Sequence, residues 1–154
     1  MKIHFEPATL WEVEEMIQIH NLAFARDWEE HGYSSGYGHT PETMAGMLLT
    51  CQAYQILDGE EAVGCLLYRE GEPEHFSLES LCVIPSYQGK GVGHLAMDYL
   101  KELHPKALHW ALITPADSRS NREFYRRHGF TVTKAYGDGG RDLVRMEQTL
   151  TPAP

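Results

Sequence analysis

The sequence predicts an α/β fold, a mixed and mostly antiparallel sheet with helices on both faces. Three observations carry this reading. The elements follow the order β-α-α-β-β-β-α-β-α-β-β along 154 residues. At the centre, an apolar strand leads through a glycine-rich loop and an amphipathic helix to another apolar strand, the crossover that parallel pairing requires. Elsewhere strands succeed one another through short turns, which gives antiparallel pairing. Residues 1–154 are expected to form a single domain, long enough to bury a core.

Lys2 to Glu6 reads as a short edge strand. Thr9-Leu10-Trp11-Glu12 is a capping box, in which threonine and glutamate each satisfy an amide at the start of a helix. That helix is expected to run to Phe24, with Leu10, Val13, Met16, Ile17 and Phe24 on one face. Arg26 to His39, rich in aromatic, acidic and glycine residues, reads as a loop. Thr40-Pro41 then supplies an N-cap and a proline at the first helical position, and Met44, Met47, Leu48 and Cys51 form the inner stripe.

Tyr54 to Leu57, a turn at Asp58-Gly59 and Ala62 to Arg69 form a hairpin. Gly71-Glu72-Pro73 breaks the chain before a strand from Phe76 to Ile84. After the glycine loop, Val92, Leu95, Ala96, Tyr99, Leu100 and Leu103 recur at helical spacing, and Pro105 closes that helix. Ala107 to Thr114 is apolar enough to be a central strand. A short helix starting at Asp117 or Ser118 ends at Gly129, suited to a left-handed stop. Phe130 to Tyr136 and Leu143 to Leu150 are the last strands, joined through Gly137-Asp138-Gly139-Gly140.

Composition narrows the function. With 13 basic against 22 acidic residues the net charge is −9, which argues against nucleic acid as a partner and suits cationic substrates such as amines. No apolar run is long enough to span a bilayer, and the N-terminus lacks the pattern of a signal peptide, so a cytoplasmic protein is expected. Cys65 and Cys82 sit in apolar runs and read as buried reduced thiols, Cys51 completing an odd set of three. The nine histidines and three cysteines show no zinc-ligand spacing, and no metal is expected.

The chemistry concentrates in Val83-Ile84-Pro85-Ser86-Tyr87-Gln88-Gly89-Lys90-Gly91-Val92-Gly93-His94. Alternate glycines let the backbone approach a ligand closely, and the following helix points unpaired amides and the positive end of its dipole at it. This is a phosphate or pyrophosphate cradle. A Walker loop is excluded, because Gly89-Lys90 is followed by Gly91 rather than Ser or Thr, and Ile84 stands where the first glycine belongs. A dinucleotide fingerprint forced onto Gly91-x-Gly93-x-x-Ala96 lacks its ribose-binding acid after the next strand.

Gln88-x-x-Gly91-x-Gly93 resembles the acetyl-coenzyme A pyrophosphate loop of the GNAT acetyltransferase superfamily. Asn121-Arg122-Glu123-Phe124-Tyr125-Arg126-Arg127-His128-Gly129-Phe130 resembles that family's later signature, Phe-Tyr followed after three residues by Gly-Phe. The order and spacing of the two motifs are also similar, and the resemblance covers nearly the whole chain. It implies a splayed central pair of parallel strands with acetyl-coenzyme A in the gap. The strand backbone at Leu81, Cys82 and Val83 would hold the pantetheine arm, and the amides of Gln88, Gly89, Lys90, Gly91, Val92, Gly93 and His94 the pyrophosphate. Lys90 either adds charge to this cradle or is a solvated surface lysine. Cys82 is read as packing, since transfer in the family is direct.

By the same resemblance Tyr125 protonates the departing thiolate. A phenol with a pKa near 10 matches a thiol of about 8–10. Ser118, Asn121 and Tyr125 share one helical face. The family usually has Asn seven residues before the Tyr; here that position is Ser118, and which of Ser118 and Asn121 meets the cofactor stays open. An acceptor amine with a pKa of about 10.4 must lose a proton before or during attack. Glu79 falls where some relatives carry a catalytic glutamate, and either assists this step or is an ion-paired surface residue. His31 is another candidate base.

Acceptor recognition in the resembled fold falls to Asp27-Trp28-Glu29-Glu30-His31-Gly32-Tyr33 and Tyr136-Gly137-Asp138-Gly139-Gly140-Arg141. Acids interleaved with aromatics suit a cationic amine, and Arg141 a substrate carboxylate. The expected activity is N-acetylation of a primary amine by direct attack in a ternary complex, the acceptor being a small cationic amine. The alternatives are a protein N-terminus or lysine, and a non-catalytic acyl-coenzyme A-binding module. Dimers are common among proteins this chain resembles, and the last hairpin offers an edge for a homodimer.

Overall fold

The computed structural model describes residues 1–137 and 140–151. The strands are β1 (Ile3–Pro7), β2 (Gln52–Asp58), β3 (Glu61–Glu70), β4 (His75–Val83), β5 (His109–Pro115), β6 (Thr131–Tyr136) and β7 (Leu143–Thr149). The helices are α1 (Val13–His31), α2 (Pro41–Thr50), α3 (Val92–Leu103) and α4 (Arg119–Arg127). The strands form one seven-stranded sheet in the order β1-β2-β3-β4-β5-β7-β6. Pairs β1·β2, β2·β3, β5·β7 and β6·β7 are antiparallel. The β4·β5 pair is parallel, in register from His75↔His109 to Ser77↔Ala111, while β4 continues to Val83 and β5 to Pro115. The mixed, mostly antiparallel sheet read from the sequence is therefore the observed one.

The chain divides into two compact units, Met1–Arg69 with Glu79–Tyr99, and Glu70–Leu78 with the residues from Leu100 onward. In the first unit the capping box forms as expected. Thr9 N donates to the Glu12 carboxylate at 3.0 Å and Trp11 N to Thr9 Oγ1 at 3.3 Å. The box caps a single 3-10 turn, Leu10–Glu12, that leads into α1. Helix α1 then passes the expected end at Phe24 and runs to His31, so the first part of the loop expected from Arg26 to His39 is helical. Good helix formers at Ala25, Arg26, Glu29 and Glu30 carry it on. Gly32 at φ 67° stops it, its amide donating to the Trp28 carbonyl at 2.7 Å.

The inner face of α1 also differs from the expected stripe. Met16, Ile19 and His20 are buried, whereas Leu10 is half exposed. The true stripe passes through a histidine, so apolar periodicity alone displaced it. Helix α2 forms on the Thr40 cap, with Thr43 N donating to Thr40 Oγ1 at 3.1 Å, and buries Met44 and Leu48. Strand β3 is buried without a break from Val63 to Tyr68, the pattern of a strand covered on both faces. Gly64 is required there: a Cβ would come within 2.5 Å of the Cys82 carbonyl oxygen. Tyr99 of α3 stacks on Phe5 at 4.3 Å and meets Tyr54 edge-on at 5.4 Å.

In the second unit the core is aromatic. Trp110, fully buried on β5, stacks on Phe76 at 4.7 Å, and the His104 ring lies 4.4 Å from Phe76. Phe130 and Met146 are fully buried. Gly129 at φ 92° ends the α4 segment as the sequence predicts. Residues Asp138 and Gly139 of the last connection lie outside the described residues.

Candidate active site

In the first unit, β4 delivers Leu81, Cys82 and Val83 to a 3-10 turn, Pro85–Tyr87, and then to the glycine loop. Cys82 is buried and its two neighbours half-buried. Gly89 at φ 76° and Gly91 at φ 83° both adopt the left-handed conformation, and a Cβ on either would meet nothing within 4 Å. Backbone conformation rather than crowding thus demands glycine at these positions, and open space lies beside them. The Leu95 amide donates to the Gly91 carbonyl at 3.1 Å at the start of α3, so the amides of Val92 and Gly93 belong to the unpaired first turn. Positive φ, open space and a helix N-terminus fit a pyrophosphate.

Gln88 is hydrogen-bonded within the turn that precedes the glycines. Its amide donates to Pro85 O at 3.2 Å and its side-chain Nε2 to Val83 O at 2.9 Å, so it ties the loop to the end of β4. Lys90 Nζ sits 5.1 Å above the Tyr87 ring. The Tyr87 hydroxyl donates to Asp58 at 2.6 Å, which pushes the phenol up to about 12 and holds the Asp58 carboxyl below its usual range.

Glu79, exposed on β4, is ion-paired with Arg69, Nε to Oε1 at 3.0 Å. Next to it Ser80 Oγ lies 2.9 Å from His20 Nε2, and His20 Nδ1 lies 2.8 Å from the Met16 carbonyl oxygen. A carbonyl only accepts, so Nδ1 carries the proton and Nε2 accepts from the Ser80 hydroxyl. Burial pushes the His20 pKa down to about 4, with His39 adding a smaller push in the same direction. His20 and Ser80 escaped the sequence reading because 60 residues separate them. His31, at the end of α1, lies 3.9 Å from Asp27 and 4.0 Å from Glu30, and Trp28 stacks on Tyr37 at 5.2 Å.

In the second unit Ser118 precedes α4 without capping it through its side chain. Asn121 Nδ2 donates to Thr114 Oγ1 at 3.3 Å, tying the exposed start of α4 to β5. Tyr125 is half-buried; its ring meets Phe124 and Phe130 edge-on, and its carbonyl accepts from the amides of His128 and Phe130. The turn at Gly129 thus folds Phe130 back onto the tyrosine. Arg122 Nε is buried without a hydrogen-bond partner in the described structure, an orphaned cationic donor. Arg141, offered for a substrate carboxylate, is paired with Asp117, its Nη2 at 2.7 Å.

The fold recurs widely. The PaiA N-acetyltransferase of Thermoplasma acidophilum, solved with coenzyme A, superposes with a TM-score of 0.81 at 16% identity, over 97% of this chain and 100% of that one. The ribosomal-protein-S18-alanine N-acetyltransferase of Escherichia coli gives 0.81 at 16% identity, over 99% and 96%. In sequence, the uncharacterized protein YrkN of Bacillus subtilis is 29% identical over 87 residues, 55% of this chain and 47% of that protein, so the match spans about half the length of this curated relative. Residues 13–130 match the model of the acetyltransferase (GNAT) family, whose co-substrate is acetyl-coenzyme A, and the chain belongs to that family.

Proposed function

We propose that this acetyltransferase is an N-acetyltransferase that moves an acetyl group from acetyl-coenzyme A to a small cationic primary amine, by direct attack in a ternary complex. Residues 1–154 act as one catalytic domain in this reading, in the cytoplasm. The observation that carries it is the pair of left-handed glycines, Gly89 and Gly91, opening onto the first turn of α3. The amides from Gly89 to His94 hold the pyrophosphate, and the backbone of Leu81, Cys82 and Val83 the pantetheine arm. When bound, acetyl-coenzyme A supplies a thioester activated toward attack.

The chain's own part is positioning and proton transfer. Tyr125 gives its phenolic proton to the departing sulfur, a transfer between groups of similar acidity. Its ring is braced by Phe124 and Phe130, which fixes where the hydroxyl points. Glu79, oriented by Arg69, receives the amine's proton through water. Asn121 and Ser118 contact the cofactor from the start of α4. Asp27, Glu29 and Glu30, beside the Trp28–Tyr37 stack, draw in a cationic acceptor through charge and aromatic faces.

The test is thiol release from acetyl-coenzyme A across polyamines, amino acids, aminoglycosides and short peptides. Release far above the amine-free rate with one small-amine class supports the reading. Release only with peptides moves the acceptor to protein N-termini or lysines; the Escherichia coli neighbour is likewise named for a protein acceptor, an alanine of ribosomal protein S18. Tight cofactor binding with no release from any class, and no change in Tyr125→Phe, would make the chain an acyl-coenzyme A-binding module.

A further inference from the structure

The first unit buries a side-chain cluster for which the acetyltransferase reading has no use. Cys65 on β3, Cys82 on β4 and His20 on α1 place two sulfurs and a ring nitrogen within 4.8 Å of one another, all three residues buried. The Met16 sulfur lies 3.3 Å from Cys65 Sγ. No spacing motif announces the set, because it is assembled from three separate elements.

We propose that Cys65, Cys82 and His20 form a binding site for a single Cu(I) ion, with the Met16 thioether as a weaker fourth ligand. Metal–sulfur and metal–nitrogen bonds of about 2.3 and 2.0 Å place trigonal ligands about 3.8 Å apart, so the cluster closes on an ion with shifts of about 1 Å at most. The donor set is soft, two thiol sulfurs and a thioether with one imidazole and no carboxylate, and such a set selects Cu(I). Zn²⁺ asks for four firm tetrahedral ligands, and the thioether is a poor one.

The imidazole is already in the form a metal needs. Its Nδ1–H is held by the Met16 carbonyl, the outer contact that fixes a ligating histidine, and its Nε2 keeps a lone pair that now accepts from Ser80. Binding is proton exchange without change of oxidation state: each of the two cysteines loses its S–H proton to solvent as its sulfur bonds Cu⁺. Ser80, hydrogen-bonded to His20, is partly buried and lies between the cluster and the surface of β4. A Cys65–Cys82 disulfide is a competing use of the same sulfurs, but it requires a two-electron oxidant, which metal binding does not.

The experiment is an anaerobic titration of the Cys51→Ser chain, which lacks the half-exposed third thiol, with Cu(I) against a chromophoric Cu(I) chelator. One ion per chain is withdrawn from the chelator. The copper X-ray absorption edge of that sample shows a first shell of sulfur with one nitrogen. Cys82→Ala and Cys65→Ala each weaken competition more than about 100-fold. Met16→Leu weakens it only several-fold. No withdrawal by the Cys51→Ser chain, a first shell without sulfur, or undiminished binding in a folded Cys65→Ala chain overturns the site. The absorption spectrum decides even if the alanine variants fail to fold. Stronger retention of Zn²⁺ than of Cu(I) against chelators of matched strength overturns the choice of ion.

Discussion

His20 in the first unit and Glu147 in the second are each held by several hydrogen bonds, yet their surroundings drive their charges in opposite directions. His20 is fully buried between the Met16 carbonyl and Ser80, and desolvation keeps it neutral. Glu147 lies near the surface among Thr133, His109 and Arg145, and those partners hold its carboxyl below the usual range. Hydrogen bonding alone does not set charge; the solvent lost on burial does. The first unit therefore buries a neutral imidazole beside two thiols. The second unit holds Glu147 as a charged carboxylate among its partners. The comparison predicts that core substitutions in the first unit cost stability, whereas Tyr125 in the second costs rate.

The largest effect is expected at Tyr125. Removing its hydroxyl in Tyr125→Phe should lower turnover by about 100- to 10,000-fold, the range for loss of a general acid. Melting temperature should hardly move, because the ring that packs on Phe124 and Phe130 is retained. A tenfold or smaller loss of thiol release at saturating substrate would move the proton donor elsewhere. The reverse is expected of Met16→Ala in the first unit. Met16 is fully buried and its sulfur touches Cys65, so truncation leaves a cavity costing about 2–5 kcal/mol. Denaturant unfolding measures this, and a loss below about 1 kcal/mol would mean that the cluster region collapses freely and is no rigid core.

The two units were not equally legible in the sequence. The glycine loop and the Tyr125–Phe130 stretch are local: each function needs residues a few positions apart, and glycine at positive φ leaves a mark in the sequence at Gly89, Gly91 and Gly129. The strands were legible for a similar reason, their apolar runs being bounded by turns. The end of α1 was not, since acids and aromatics in Asp27 to Tyr33 look like a loop until Gly32 is recognised as the stop. The His20–Ser80 bond and the Cys65–Cys82 neighbourhood were invisible, because tertiary packing alone joins α1, β3 and β4. The Arg141–Asp117 pair was hidden for the same reason, its partners lying 24 residues apart.

Smaller effects sharpen the contrast between conformation and charge. Gly91→Ala forces a side chain into φ 83° and should cost about 1–2 kcal/mol of loop strain. Its binding consequence is a weaker acetyl-coenzyme A, read as a raised KM with little change in kcat. An unchanged KM would detach the loop from the cofactor. The smallest effect belongs to Glu147. Its folded pKa is lowered, so its contribution to stability is fully present above the unfolded carboxylate pKa, about 4.5, and is lost as pH falls through the lower folded value. Glu147→Gln should therefore cost under about 1 kcal/mol at neutral pH, and the gap between variant and parent should close on acidification. Unfolding curves from neutrality down to the acid limb measure that gap. A gap that stays constant with pH would show that Thr133 and His109 hold this position by shape, and that charge pairing is not what distinguishes the second unit from the first.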